Sequence, residues 1–151
     1  MVNSGYIWGT MIFTGQYRYG IDDKNRLFIP AKLRKGINNF FITIGLDDCL
    51  YVYPEESWKK LIEKFDELSL KNKAEERAFK RAFLSMAAEI IVDGMGRILV
   101  PQDLKQQVGI SKKIVIVGVW DRLEIWPEEK WNTYYTKAKT VFKKLTPELE
   151  F

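Results

Sequence analysis

Apolar and polar residues alternate over 16–21, with Tyr17, Tyr19 and Ile21 on one face and Gln16, Arg18 and Gly20 on the other. A period of two predicts a half-buried strand. Asp22-Asp23-Lys24-Asn25 follows as turn chemistry: Asp accepts backbone N–H groups two residues on, and Asn tolerates left-handed backbone. Residues 27–29 predict a short second strand that Pro30 ends or holds at an edge. Residues 31–35 predict one helical turn begun by that proline. Residues 40–44 and 50–53 predict a hairpin around 45–48. Later in the chain, strands are predicted at 88–92 and 98–100, a short helical turn at 102–106, and a hairpin of 114–117 with 123–126.

A period near 3.6 takes over after each hairpin. Pro54-Glu55-Glu56 predicts a helix start, because proline suits the first turn and carboxylates suit the positive end of the helix dipole. Trp58, Leu61, Ile62, Phe65 and Leu68 then share one helical face. Trp131, Tyr134, Tyr135, Ala138 and Phe142 form a similar stripe. Ala78, Phe79, Ala82, Phe83 and Met86 do so in a helix predicted over 74–86. These stripes read as packing surfaces, some of them between subunits.

The similarity between early and late elements is a repeat. Residues 21–34 (IDDKNRLFIPAKLR) lie over 92–105 (VDGMGRILVPQDLK) at an offset of 71, matching Asp22 with Asp93, Arg26 with Arg97, Pro30 with Pro101 and Leu33 with Leu104. Residues 50–58 (LYVYPEESW) lie over 123–131 (LEIWPEEKW) at an offset of 73. Two blocks in the same order make two copies of one unit, which is too few for a solenoid. Residues 1–10 stand outside this pattern and read as an N-terminal extension or an upstream start.

Composition narrows the chemistry. The chain has 151 residues, 46% hydrophobic and 29% charged, as expected of a globular fold with a sizeable core. It contains no apolar run long enough for a membrane span. With no histidine and only Cys49, an internal disulfide, a Cys/His zinc site and a Ser-His-Asp triad are excluded. No glycine-rich phosphate loop is present, and the carboxylate pairs Glu55-Glu56 and Glu128-Glu129 are explained as helix openers. The sequence therefore predicts no enzyme and no cofactor or metal.

The formal net charge is +4. All of it lies in residues 14–36, where Arg18, Lys24, Arg26, Lys32, Arg34 and Lys35 face only Asp22 and Asp23; the rest of the chain balances. Such a segment is either a solvated surface or the footprint of an anionic partner, with nucleic acid first. Within it, D-x-x-x-R occurs as Asp22…Arg26 and again as Asp93…Arg97. The pair reads either as a structural ion pair at a hairpin or as an oriented guanidinium, whose planar fork fits phosphate or guanine O6 and N7.

Residues 13–34 (FTGQYRYGIDDKNRLFIPAKLR) resemble the start of MraZ proteins, bacterial regulators of the division and cell wall gene cluster. Residues 93–104 and 115–131 (VIVGVWDRLEIWPEEKW) are similar to their second half, and 77–83 (RAFKRAF) to their central helix. The resemblance covers nearly all of 11–140. It implies an α+β fold with a β-rich core, in which two AbrB-like repeats interleave as one pseudo-symmetric swapped-hairpin barrel with helices packed after each repeat. The implied units are 15–57 (first repeat), 58–86 (helical connection), 87–130 (second repeat) and 131–151 (C-terminal helix). It also implies a cytoplasmic, nucleoid-associated repressor that assembles into a ring and binds double-stranded DNA at short repeated boxes upstream of its own operon. Carried over by position, Arg26 and Arg97 contact DNA, Lys24 contacts phosphate, and Asp22, Asp93, Asn25 and Gly96 shape the loops. Met95 in place of Lys24 makes the two loops inequivalent. Asn25 stands where the family usually has glycine. The rival expectation is a ring-forming interaction module, without sequence-specific DNA binding, that recruits a protein through its aromatic helices.

Overall fold

The computed structural model describes residues 6–7, 10–67 and 71–150. Ten strands and four α-helices follow in the order β1 (Tyr6–Ile7), β2 (Thr10–Met11), β3 (Gln16–Gly20), β4 (Arg26–Phe28), β5 (Asn39–Ile44), β6 (Leu50–Pro54), α1 (Glu55–Glu67), α2 (Lys73–Ser85), β7 (Ala88–Ile91), β8 (Arg97–Leu99), α3 (Gln102–Val108), β9 (Lys113–Val119), β10 (Arg122–Pro127) and α4 (Glu128–Leu145). A 3-10 turn at Ala31–Leu33 stands where the first helical turn was predicted, and another at Thr146–Leu149 ends the predicted C-terminal helix. Of residues 1–10, Tyr6–Ile7 and Thr10 belong to a small antiparallel pair with Met11. The others, and Leu68 of the predicted helical face, lie outside the described residues.

Six strands form one antiparallel sheet in the order β3-β9-β10-β6-β5-β7. The order is symmetric by repeat. Each copy's hairpin (β5–β6 or β9–β10) is flanked on its outer side by the first strand of the other copy. Tyr51 pairs with Glu124 at the centre of the sheet, and their numbers differ by the repeat offset. The remaining pair, β4–β8, forms a separate ribbon centred on Leu27 and Ile98, which are again repeat equivalents. A pseudo-twofold axis therefore passes through both pairs.

The sheet does not close into a barrel. β3 and β7 are its edges, because each gives way to its D-x-x-x-R turn and the chain reverses into the ribbon.

Both faces of the sheet are covered, which explains the continuous apolar run Ile114-Val115-Ile116-Val117. Ile114 and Ile116 join Phe40, Ile42, Leu50, Val52, Leu123 and Ile125 in the main core, closed by Leu27, Ile29, Ile98 and Val100 of the ribbon segments. Val115 and Val117 point the other way, against Trp126 and Trp131 under α4. On the first copy, Phe41 stacks on Trp58 at 5.2 Å, and Trp58 stacks on Phe83 at 5.9 Å. The predicted stripe on α1 therefore packs through Trp58 and Phe65, and that on α2 meets it through Phe83, although α2 buries no residue fully and Phe79 stays exposed. Asn72 caps α2 by accepting from the backbone N–H groups of Ala74 and Glu75. Cys49 is fully buried, and burial pushes its thiol well above its ordinary range, so it behaves as a core residue.

Candidate nucleic-acid interface

Both D-x-x-x-R turns are built the same way. Asp22 Oδ1 accepts from the backbone N–H groups of Lys24 (2.9 Å) and Arg26 (2.8 Å), and Oδ2 accepts from Arg26 Nε at 2.7 Å. Asp93 Oδ1 accepts from Met95 and Arg97 backbone N–H groups, each at 2.9 Å, and Oδ2 accepts from Arg97 Nε at 2.9 Å. The Arg26 backbone N–H, joined by its guanidinium and the Lys24 N–H, holds the Asp22 carboxyl below the ordinary carboxylate range. Asp93 is held low in the same way, first by the Arg97 backbone N–H.

The fourth position of each turn needs left-handed backbone. Asn25 has φ +61° and Gly96 φ +80°. Asn25 N–H donates to the Asp22 carbonyl, and Gly96 N–H to the Asp93 carbonyl, each at 3.0 Å. The asparagine side chain adds two bonds that glycine lacks, donating to Gln102 Oε1 and accepting from Lys105 Nζ.

In each turn the carboxylate occupies the Nε edge of the arginine. The terminal Nη nitrogens of Arg26 and Arg97 have no hydrogen-bond partner among the described residues. A planar donor fork is thus fixed at one edge and open at the other, the arrangement that a phosphate or a guanine edge can accept. Lys24 is exposed at the tip of the first turn, and exposed Met95 is its equivalent in the second.

The ribbon joins the two turns back to back. Arg26 pairs with Leu99, Leu27 with Ile98, and Phe28 with Arg97. The Ile29 N–H then donates to the Gly96 carbonyl, and the Val100 N–H to the Asn25 carbonyl. Each turn is therefore hydrogen-bonded to the other repeat. The basic segment 14–36 is less uniform than its sequence. Arg18 meets Glu128 and Asn132 of α4, and Arg34 Nε donates to the Ile29 carbonyl. Sequence reasoning missed the roles of Arg34, Gln102 and Lys105. The offset of 71 does align Arg34 with Lys105, both basic, which was the available signal.

Among the described residues no cluster could hold a metal ion, and no helix is long and apolar enough to cross a membrane.

Comparison with known proteins agrees with this duplicated architecture. The family model described as "MraZ protein, putative antitoxin-like" matches twice, over residues 12–82 and 83–149. A "Transcriptional regulator MraZ" of Natranaerobius thermophilus is 44% identical over 139 residues, covering 91% of this chain and 96% of that protein. One from Clostridium beijerinckii is 50% identical over 124 residues (82% and 87%), and one from Heliobacterium modesticaldum is 45% identical over 139 residues (91% and 96%). Two tandem matches, across the same two copies that the sheet interleaves around its pseudo-twofold axis, place this chain in the MraZ family.

Proposed function

We propose that this protein is a sequence-specific DNA-binding transcription regulator, acting as a repressor of the division and cell wall gene cluster through short repeated boxes upstream of its own operon. The observation that carries this reading is the pair of turns in which a carboxylate fixes the Nε edge of an arginine and leaves the outer fork unpaired among the described residues. Arg26 and Arg97 contact the duplex, Lys24 contacts a phosphate, and Asp22, Asp93, Asn25 and Gly96 hold the loop shape. Residues 15–57 and 87–130 act as the two AbrB-like units of a swapped-hairpin arrangement. Residues 58–86 connect them, and 131–151 follow as the C-terminal helical segment.

One subunit presents two turns, which is a small contact. Assembly into a ring multiplies it, since joint binding of spaced boxes raises avidity by effective concentration. The outer half of α4 supports self-association: Val141, Phe142 and Leu145 are exposed, with Phe142 at 60%. The protein works in the cytoplasm at the nucleoid.

The test is binding of the purified protein to its own upstream DNA, at two salt concentrations and with box number varied. Strong binding to several boxes, weak binding to one, and a steep loss of affinity with salt are expected. The same exposed α4 residues favour a second reading, a ring-forming protein-interaction module; the absence of any salt-sensitive shift would select it.

A further inference from the structure

Leu27 and Ile98, at the centre of the β4–β8 ribbon, point into the core, at 0% and 1% exposed. Side chains alternate along a strand, so Arg26, Phe28, Arg97 and Leu99 all stand on the outer face. Outer positions of a two-stranded ribbon are ordinarily polar. Here two of the four are apolar and exposed, Phe28 at 36% and Leu99 at 57%. The register sets each beside an arginine of the other repeat: Leu99 opposite Arg26, Phe28 opposite Arg97. Phe28 is also held in place, edge-on to Tyr19 at 5.6 Å and beneath the Arg34 guanidinium at 5.6 Å.

We infer that Phe28 and Leu99 are specificity-determining residues that read thymine methyl groups next to the base pairs taken by Arg97 and Arg26. This rests on the proposed DNA-binding reading and extends it from the turns to the ribbon between them. The major groove admits a two-stranded β-ribbon, and the thymine 5-methyl is the apolar feature it displays. Directly opposed residues on antiparallel strands have Cβ atoms about 4.5–5.5 Å apart, comparable with the roughly 3.4 Å step between bases. A guanidinium fork and its apolar neighbour therefore fall on adjacent or next-adjacent base pairs. The charge pattern selects the occupant: a face on which arginine and apolar residue alternate diagonally, each guanidinium with an outer edge unpaired among the described residues, suits a polyanion with apolar points inside its groove, not an apolar protein surface. The two halves are unequal. Phe28, larger and held by two neighbours, discriminates more sharply than Leu99.

The decisive probe is the upstream duplex made twice, once with thymine and once with uracil throughout, which removes the methyl groups and keeps base pairing. The full-length wild type is expected to bind the uracil duplex about fourfold more weakly for each methyl lost from contact. A Phe28→Ala, Leu99→Ala double variant is expected to bind the thymine duplex more weakly and to show no difference between the two duplexes. Equal wild-type affinity for both duplexes, with binding still abolished by an Arg26→Ala, Arg97→Ala variant, would overturn the thymine inference and leave the DNA-binding reading standing. Undiminished binding by that arginine variant would sink the DNA-binding reading itself. Should the Phe28, Leu99 variant change only the mass of the assembly in light scattering and keep the wild-type thymine-to-uracil ratio, the ribbon face is a protein contact and the inference fails.

Discussion

Lys105 Nζ donates to Asn25 Oδ1 across 2.9 Å, so a base from the second repeat steadies the turn of the first. The repeat equivalent of Lys105 is Arg34, and it lies against the equivalent of Asn25: a Cβ built on Gly96 would come within 2.6 Å of an Arg34 terminal nitrogen. The two turns thus use opposite solutions at one position. The first fills the space with an amide that bonds the base; the second leaves it empty for the larger guanidinium.

Exchanging these residues should therefore be asymmetric. Gly96→Ala introduces a Cβ at φ +80° and displaces Arg34, and should cost about 1–3 kcal/mol in denaturant unfolding. Asn25→Gly relieves a positive φ and gives up one exposed and one part-buried hydrogen bond, so it should cost about 1 kcal/mol.

The two turn carboxyls predict an acid limb. Their folded-state values are depressed, so each adds loop stability that is fully present above the ordinary carboxylate range, near pH 4, and is lost as pH falls through the lowered folded value. NMR titration of the Asp22 and Asp93 side chains should give midpoints below that of a free aspartate. Asp22→Asn should flatten the low-pH part of the stability curve. It also turns a donor toward Arg26 Nε, so its DNA affinity should fall roughly tenfold with the fold intact.

Within the first turn, base and phosphate contacts should separate by salt. Arg26→Ala should lose roughly 1–3 kcal/mol of affinity if the fork engages one guanine. Lys24→Ala should weaken binding to all sequences similarly and reduce the salt slope by about one. Met95→Ala, at the equivalent position, should leave the slope unchanged in the same titration.

Aromatic residues on the helices should sort by what covers them. Trp58 is buried between Phe41 and Phe83, and Trp58→Ala should cost about 3–5 kcal/mol in unfolding. Phe142 is exposed on α4, and Phe142→Ala should leave subunit stability within about 0.5 kcal/mol. Its effect should appear as a smaller assembly in light scattering.

Glu124 was not legible as a buried charge. The sequence marks 123–126 only as a strand of a hairpin, yet Glu124 is buried, accepting from Arg122 at 2.8 Å and from Trp126 Nε1 at 3.0 Å, while Arg122 lies 4.1 Å over the Tyr51 ring. The cause is α4, whose Trp131 and Tyr134 close over Trp126. An outward strand position becomes interior when a helix covers that face, and strand periodicity carries no information about such a cover. The turns were easier to read because their chemistry is local. A carboxylate three residues before an asparagine or glycine and four before an arginine can close the same set of bonds in any context.

By itself, the sequence determined the two copies, the order of strands and helices from residue 16 onward, and the composition of both turns, because each depends on side-chain period or on residues a few positions apart. Tertiary structure alone decided that each hairpin lies beside the other copy's first strand, that Arg34 and Lys105 reach across to the opposite turn, and that Phe28 and Leu99 stand next to the arginines. Those contacts join residues far apart in the chain, from about fifty positions to about a hundred, and a hydrophobic pattern specifies that a face must be buried without specifying which copy will bury it.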